Sequence, residues 1–203
     1  MRSLLLATTN RHKIEEYRAI FADLPFQLLS LSDISLDMDV EETGTTFQEN
    51  AELKALAYAQ ASGLLSLADD SGIEIDALGG EPGIYSARFL GPDASYAERF
   101  RVILERLHEL PVSQRTARFR CVITIAEPDG YHQSVEGVVN GIIADAPHGE
   151  HGFGYDPIFL VPEYGKTTAE MPPELKHRIS HRGRAAALAR TVLEDWPTAA
   201  PQQ

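Results

Sequence analysis

Apolar positions along the chain follow two rhythms, short continuous runs and spacings near 3.6 residues, and their alternation is that of an α/β protein. Residues 2–7 carry Leu4-Leu5-Leu6 and read as a first strand. Ile14, Tyr17 and Ile20/Phe21 then keep helical spacing, with Asn10 placed as an N-cap. Residues 26–31 read as a second strand. Thr46-Phe47-Gln48-Glu49 matches a capping box and opens a long helix to about Ser62, stopped by Gly63. Leu64-Leu65-Ser66-Leu67-Ala68 is short and apolar and ends in acid, so it reads as a buried strand that delivers Asp69 and Asp70 to its C-terminal end. Ser71-Gly72 then suits a tight turn, with Ile73-Glu74-Ile75 beyond it as a strand edge. Tyr96, Phe100, Ile103/Leu104 and Leu107 mark a further helix capped by Asp93 or Ser95, and Ala186, Leu188/Ala189 and Val192/Leu193 mark a last one. Residues 116–126 and 131–143 alternate as two strands joined at Pro128-Asp129-Gly130, an antiparallel hairpin. A mixed sheet follows, with the hairpin as a second lobe or an extension.

At 203 residues the chain suffices for one large domain or two lobes around a cleft, and no apolar run approaches the ~20 residues of a membrane span. Polar Thr8-Thr9-Asn10 follows the first strand at once, which argues against a signal peptide. The single cysteine, Cys121, excludes an internal disulfide framework, fits a reducing cytoplasm, and lies in an apolar strand as a packed thiol. A net charge of −12 disfavours stable nucleic-acid binding, which needs a basic surface. The charge is uneven: Asp33, Asp37, Asp39, Glu41 and Glu42 form an acidic segment, and Lys176, His177, Arg178, His181, Arg182 and Arg184 a basic one. Separate patches suit a small polyanion carried with a divalent cation, and equally suit solvated loops.

Several stretches carry candidate chemistry. Thr8 to Lys13 joins a strand to a helix N-terminus, where free N–H groups and the helix dipole attract anions. Lys13 in the first helical turn opposes that dipole unless an anion is present, an argument for phosphate there; a plain βα turn with a solvated lysine is the alternative. Adjacent strand residues point to opposite faces, so Asp69 and Asp70 divide their work, one toward chemistry and one toward structure. Asn50 and Lys54 share a helix face, and that helix, packed on the strand of Asp70, would bring Asp70 toward Glu41. Mg²⁺ takes one or two such carboxylates and leaves the rest of its shell to water and phosphate. Gly149-Glu150-His151-Gly152-Phe153-Gly154-Tyr155-Asp156-Pro157 lets backbone approach a flat ligand beside an aromatic ring, or else plugs the core with its aromatics. His181 and Arg182 sit as cations at a helix N-terminus, a position that calls for an acidic or hydrogen-bonding neighbour. His148, His151, His177 and His181 lack a zinc spacing.

Together these stretches resemble the inosine/xanthosine triphosphate pyrophosphatase family. The resemblance rests on Thr8-Thr9-Asn10 with Lys13; Glu41-Glu42-Thr43-Gly44; Phe47 with Glu49-Asn50-Ala51 and Lys54-Ala55; Ala68-Asp69-Asp70-Ser71-Gly72; Leu78-Gly79-Gly80 with residues 82–88; Gly152-Phe153-Gly154-Tyr155-Asp156-Pro157; and Ile179-Ser180-His181-Arg182-Gly183. Departures are Thr9, where many relatives carry Gly, and Met171-Pro172-Pro173 ahead of Lys176. The resemblance implies an α/β fold with an elongated mixed β-sheet flanked by helices, two lobes enclosing a central cleft. It implies a single such domain over residues 1–196, a flexible tail over 197–203, and a homodimer. The implied reaction is Mg²⁺-dependent hydrolysis of ITP, dITP and XTP to monophosphate and pyrophosphate. Glu41 and Asp70 would hold the metal, with Asp70 also the proton acceptor. Thr8, Thr9, Asn10, Arg11, His12, Lys13, Lys54 and Ser71 would bind phosphate and sugar, and Phe153, Gly154, Tyr155, Asp156, Lys176, His181 and Arg182 the base. A nucleotide sensor without turnover, or a pyrophosphatase for pyrimidine or methylated nucleotides, are the competing readings.

Overall fold

The structure, a computed structural model, describes residues 2–196; the expected tail over 197–203 lies outside them. Seven strands form one mixed sheet in the order β2-β1-β3-β4-β5-β6-β7. Strands β1 (Arg2–Leu6), β2 (Phe26–Ser30) and β3 (Leu65–Ile75) are mutually parallel, and β4 (Thr116–Ala126), β5 (His132–Ile143), β6 (Phe159–Val161) and β7 (Lys166–Thr167) continue antiparallel. The helices are α1 (Arg11–Ile20), α2 (Phe47–Ser62), α3 (Tyr96–Arg106), α4 (Pro173–Ile179) and α5 (His181–Glu194).

The two-residue period of the strands sorts the core. Leu4, Leu6, Leu65 and Leu67 pack with Tyr17 and Phe21 of α1 and Ala185, Ala186, Ala189 and Leu193 of α5. Leu5, Ala7 and Ala68 point the other way, against Ala55, Tyr58 and Ala59 of α2. Farther along the long strands, Ile73, Ile75, Phe119, Val139 and Ile143 join Ile103 and Leu107 of α3, with Tyr155 and Phe159, in a separate core.

Helix ends follow the expected chemistry. Asn10 accepts from the N–H groups of His12 and Lys13, Thr46 accepts from Glu49 N–H, and Gly63 ends α2 in the left-handed region at φ 69°. The reciprocal arm of the α2 capping box shifts by one residue, because Glu49 accepts from Thr45 N–H.

The largest departure from expectation is at Asp69-Asp70-Ser71-Gly72, which is no turn. The strand runs unbroken through it for 11 residues, paired with β4 at Asp69↔Ile123, Asp70↔Val122 and Gly72↔Arg120. Gly72 therefore serves close approach. A Cβ there would stand 2.4 Å from the Gly83 carbonyl oxygen and 2.5 Å from Ser86 Oγ. Because β1 stops at Leu6 while β3 runs on, β3 has an open edge beyond Leu67. The 3₁₀ turn Gly83–Arg88 covers part of that edge, and Ser86 Oγ accepts from Ile73 N–H at 2.9 Å. Elements β6, β7 and α4 are short and had no periodic signal to reveal them.

Candidate active site

A cavity of about 760 Å³ opens where β1 ends and β3 continues. This is the carboxyl end of the parallel strands, where open α/β sheets place ligands. Thr8, Thr9, Asn10, Lys13, Glu41, Lys54, Asp70, Ser71, Phe153, Gly154, Tyr155, Asp156, Lys176, His181 and Arg182 all line it. Arg11 and His12, expected with them, do not; both are exposed at the outer side of the α1 N-terminus. The α1 terminus is also less open to anions than its position implied, because Asn10 already occupies the N–H groups of residues 12 and 13.

The two aspartates divide across the faces of β3 as strand geometry requires. Asp69 faces α1 and α5 and is buried. Its Oδ2 lies 2.9 Å from Lys13 Nζ and 3.3 Å from Arg182 Nη2, and accepts from Cys121 Sγ at 3.6 Å. Burial pushes this carboxyl up, but Lys13, Arg182 and Lys54 outweigh burial and hold it far below the usual carboxylate range. Cys121 shows the opposite outcome: burial and the Asp69 charge keep the thiol protonated, in line with a packed structural cysteine.

Asp70 faces α2. Asn50 Nδ2 donates to its Oδ2 at 3.1 Å, and Lys54 Nζ lies 3.6 Å from its Oδ1. The Asn50 carbonyl accepts from Gly44 N–H at 2.8 Å, so its amide is oriented with the donor toward Asp70. Lys54 is shared with Glu42 at 2.6 Å, and Arg88 reaches the same Glu42 at 2.8 Å. Burial raises the Asp70 carboxyl, Lys54 opposes that, and Glu42 adds to it; the net direction is upward. Of the two glutamates in the Glu41-Glu42 pair, Glu42 takes these ion pairs, while Glu41 is exposed along the cavity wall.

Behind the cavity runs a chain of alternating charges that includes a residue the sequence did not single out. Glu16 of α1 is buried between Lys176 at 2.9 Å and Arg182 at 2.8 Å. Lys176 also meets Asp156 at 2.7 Å. Burial raises Glu16, but Arg182 and Lys176 outweigh it and lower its pKa. These acids answer the misplaced cations at both helix N-termini: Lys13 has Asp69, and Arg182 has Glu16 and Asp69. The acidic segment of residues 33–42 takes no part in this network: Lys176 and Arg182 of the basic segment pair with Glu16, Asp69 and Asp156, while Glu42 pairs with Lys54 and Arg88. Only the one-in-3.6 position of Glu16, on the α1 face that also carries Lys13, hinted at its role.

Asp156 anchors the aromatic loop. Its Oδ2 accepts from Phe153 N–H at 2.9 Å and its Oδ1 from Thr168 Oγ1 at 2.8 Å. Gly152 is required beneath it at φ 77°, since a Cβ there would meet Asp156 Oδ2 at 2.1 Å. Phe153 is stacked by the His12 ring, with centroids 5.1 Å apart and planes at 13°. His12 therefore backs the aromatic wall from outside the cavity. His181 is buried and stacks on Phe119 at 4.5 Å, and its Nδ1 has no hydrogen-bond partner among the described residues. Burial, then Arg182 and Lys176, push its pKa well below the ordinary histidine value, so the ring is neutral at pH 7.

Fold and site define a mixed α/β protein with a charged, aromatic-walled cavity at the carboxyl end of its parallel strands. The chain belongs to the Ham1 family, whose sequence model matches residues 4–192. It is 51% identical over 194 residues to the dITP/XTP pyrophosphatase of Thermus thermophilus, covering 96% of this chain and 93% of that one. It is 48% identical over 193 residues to the dITP/XTP pyrophosphatase of Geobacter sulfurreducens, covering 95% and 97%. Among solved structures, the HAM1 protein from Coxiella burnetii superposes with a TM-score of 0.87 at 43% identity, covering 96% of this chain and all of that one.

Proposed function

We propose that this protein hydrolyses non-standard purine nucleoside triphosphates, dITP, XTP and ITP, between the α and β phosphates, releasing monophosphate and pyrophosphate. The observation that carries the reading is Asp70: a carboxylate on the cavity wall, oriented by Asn50 and kept basic by burial, in a family whose curated relatives are named for this activity. Asp70 accepts the proton of the attacking water as the water oxygen bonds to phosphorus and the anhydride bond breaks toward pyrophosphate. A carboxylate with a raised pKa is the better base for that step. Lys13 and Lys54, with Thr8, Thr9, Asn10 and Ser71, hold phosphate and sugar. Their ion pairs with Asp69, Asp70 and Glu42 keep both ammonium groups ordered before substrate arrives.

Magnesium fits this wall. Glu41 and Asp70 line the same cavity and offer carboxylate oxygens, the choice of a hard cation, and a carboxylate whose pKa burial and Glu42 raise gains from a cation beside it. Glu41 and Asp70 would hold the ion, which when bound neutralises phosphate charge and acidifies water.

At the far wall, Lys176, His181 and Arg182, with Asp156 and the Phe153 to Tyr155 loop, receive the base. Donors fixed toward a 6-oxo group are left unpaired opposite an adenine amino group, a mismatch that rejects a substrate by roughly 10⁴. The protein works as a cytoplasmic homodimer on free nucleotides, as the family resemblance implies, and holds no nucleic acid stably; the net charge of −12 supports the last point. The test is pyrophosphate release from ITP, XTP and dITP beside ATP, GTP, dTTP and dUTP, with and without a chelator. Turnover of the first three alone, abolished by chelation, is the expected result. Preference for dTTP or dUTP would move the reading to pyrimidine nucleotides, and tight ITP binding without turnover would make the protein a sensor.

A further inference from the structure

The ring expected to stack on a base, Phe153, is already engaged. Besides the His12 ring, Lys176 Nζ and the Arg182 guanidinium carbon lie 5.0 and 5.4 Å from its centroid. Phe119 is likewise stacked with His181, and Tyr155 is only 3% exposed. A different ring stands open at this wall. Tyr96, the first residue of α3, lines the cavity and is 39% exposed, and its hydroxyl is the nearest atom to a Cβ built on Gly154, at 3.7 Å.

Tyr96 is held as few exposed side chains are. The Arg99 guanidinium lies over its ring at 4.8 Å, Tyr155 meets it edge-on at 5.4 Å and 87°, and Phe100 tilts against it at 6.1 Å. Arg99 is 3% exposed and has no carboxylate partner among the described residues; its polar contacts are the Gly91 carbonyl at 3.2 Å and the Tyr155 hydroxyl, and its Nε has no hydrogen-bond partner among them. A buried guanidinium without a carboxylate is a poor stabiliser of a fold. Its position is accounted for by the ring it pins, through cation–π attraction to Tyr96.

We infer that Tyr96 is a substrate-binding residue that stacks on the base beside Gly154, and that Arg99 is the positioning residue that fixes its ring. Tyr96 offers a flat apolar face at little further entropic cost, since its rotamer is already set by Arg99, Phe100 and Tyr155. This rests on the nucleotide reading of the cavity. It concerns the base alone and leaves the phosphate end untouched.

The experiment assays the full-length enzyme with ITP and XTP, and measures inhibition by inorganic tripolyphosphate as a probe of the phosphate end. Wild type comes first: no pyrophosphate from either nucleotide overturns the nucleotide reading itself. Given turnover, Tyr96→Ala is expected to raise KM about tenfold, the scale of losing one base–aromatic stack. Its kcat should stay within about twofold of wild type, and tripolyphosphate inhibition should not change. Tyr96→Phe keeps the ring and should keep the KM. Arg99→Met should raise KM about threefold by freeing the ring, with Arg99→Lys restoring most of the loss. An unchanged KM in Tyr96→Ala overturns the inference. So does a parallel loss of tripolyphosphate binding, which would mark a general distortion of the cavity.

Discussion

Asp69 and Asp70 are consecutive residues of one strand, yet the two sides of β3 treat them oppositely. On the α1 and α5 side, Asp69 is buried between Lys13 and Arg182, and these cations with Lys54 overcome burial and keep it ionised. On the α2 side, Asp70 is ion-paired with one lysine, Lys54, which is shared with Glu42; Lys13 helps only from across the strand, and burial with the Glu42 charge prevails. The difference lies in how many cations each face supplies per acid, since both carboxyls are mostly out of water. Two cations on Asp69 Oδ2 make a structural acid with no basicity to spare, even though its Oδ1 has no hydrogen-bond partner among the described residues. Partial pairing leaves a carboxylate that still gains by taking a proton. The period of two in a strand is what lets one sequence step separate the two roles.

The comparison breaks most sharply in kinetics. Asp70→Asn should lower kcat for ITP by roughly 10³, within the range for loss of a general base, while the circular dichroism spectrum stays native-like and unfolding stays cooperative. If Asp70→Asn retains wild-type turnover, Asp70 is not the proton acceptor. Asp69→Asn should act on the other quantity. Removing the acid leaves Lys13 and Arg182 buried with less compensation, so stability should fall by about 3 kcal/mol, read as a lower urea midpoint at pH 7. Because the Asp69 pKa is depressed, its contribution is present above the unfolded carboxylate pKa of about 3.9 and disappears as pH falls below it. The gap between wild type and Asp69→Asn should therefore close in acid.

A finer test moves the neighbours of Asp70 and leaves Asp70 in place. Lys54 lowers its pKa and Glu42 raises it. The acid limb of kcat against pH should shift to higher pH in Lys54→Met and to lower pH in Glu42→Gln. Opposite shifts identify the limb with Asp70; shifts in the same direction assign it to another group.

Much of this site could be read before the fold was known. The opposite aim of the two aspartates follows from the strand period, and Asn10, Thr46 and Gly63 cap their helices as their chemistry dictates. The strand end expected at Asp69-Asp70 and the tight turn expected at Ser71-Gly72 failed for a tertiary reason. Asp, Ser and Gly all disfavour strands, but pairing with Ile123, Val122, Cys121 and Arg120 of β4 holds them extended. The same long-range dependence hid Glu16. Only its place on the α1 face of Lys13 distinguishes it from the solvated Glu15, and its partners lie 160 and 166 residues away. Lys176 and Arg182 were visible as cations at helix ends, but their acids could not be named without the packing of α1 against α5. His12 fell inside a matching motif, yet it acts on Phe153 from outside the cavity.

The smallest effect is the one that most directly opposes the two faces. Burial raises the Asp70 pKa in the folded chain, so the native state binds that proton more tightly than the unfolded chain does. The stabilising contribution of the group is full below the unfolded value near 3.9 and is lost as pH rises through the folded value. At pH 7 the ionised Asp70 is thus a local cost to the fold, opposite in sign to Asp69. Asparagine keeps the shape and the Asn50 hydrogen bond without the charge, so Asp70→Asn should be more stable than wild type at pH 7 by roughly 1 kcal/mol, the scale of relieving one functional-site strain. The advantage should shrink as pH is lowered toward 4, where wild-type Asp70 gains its own proton. Urea titrations of both proteins at the two pH values decide it: a variant less stable at pH 7, or an advantage that widens in acid, would show that cations outweigh burial at Asp70 as they do at Asp69.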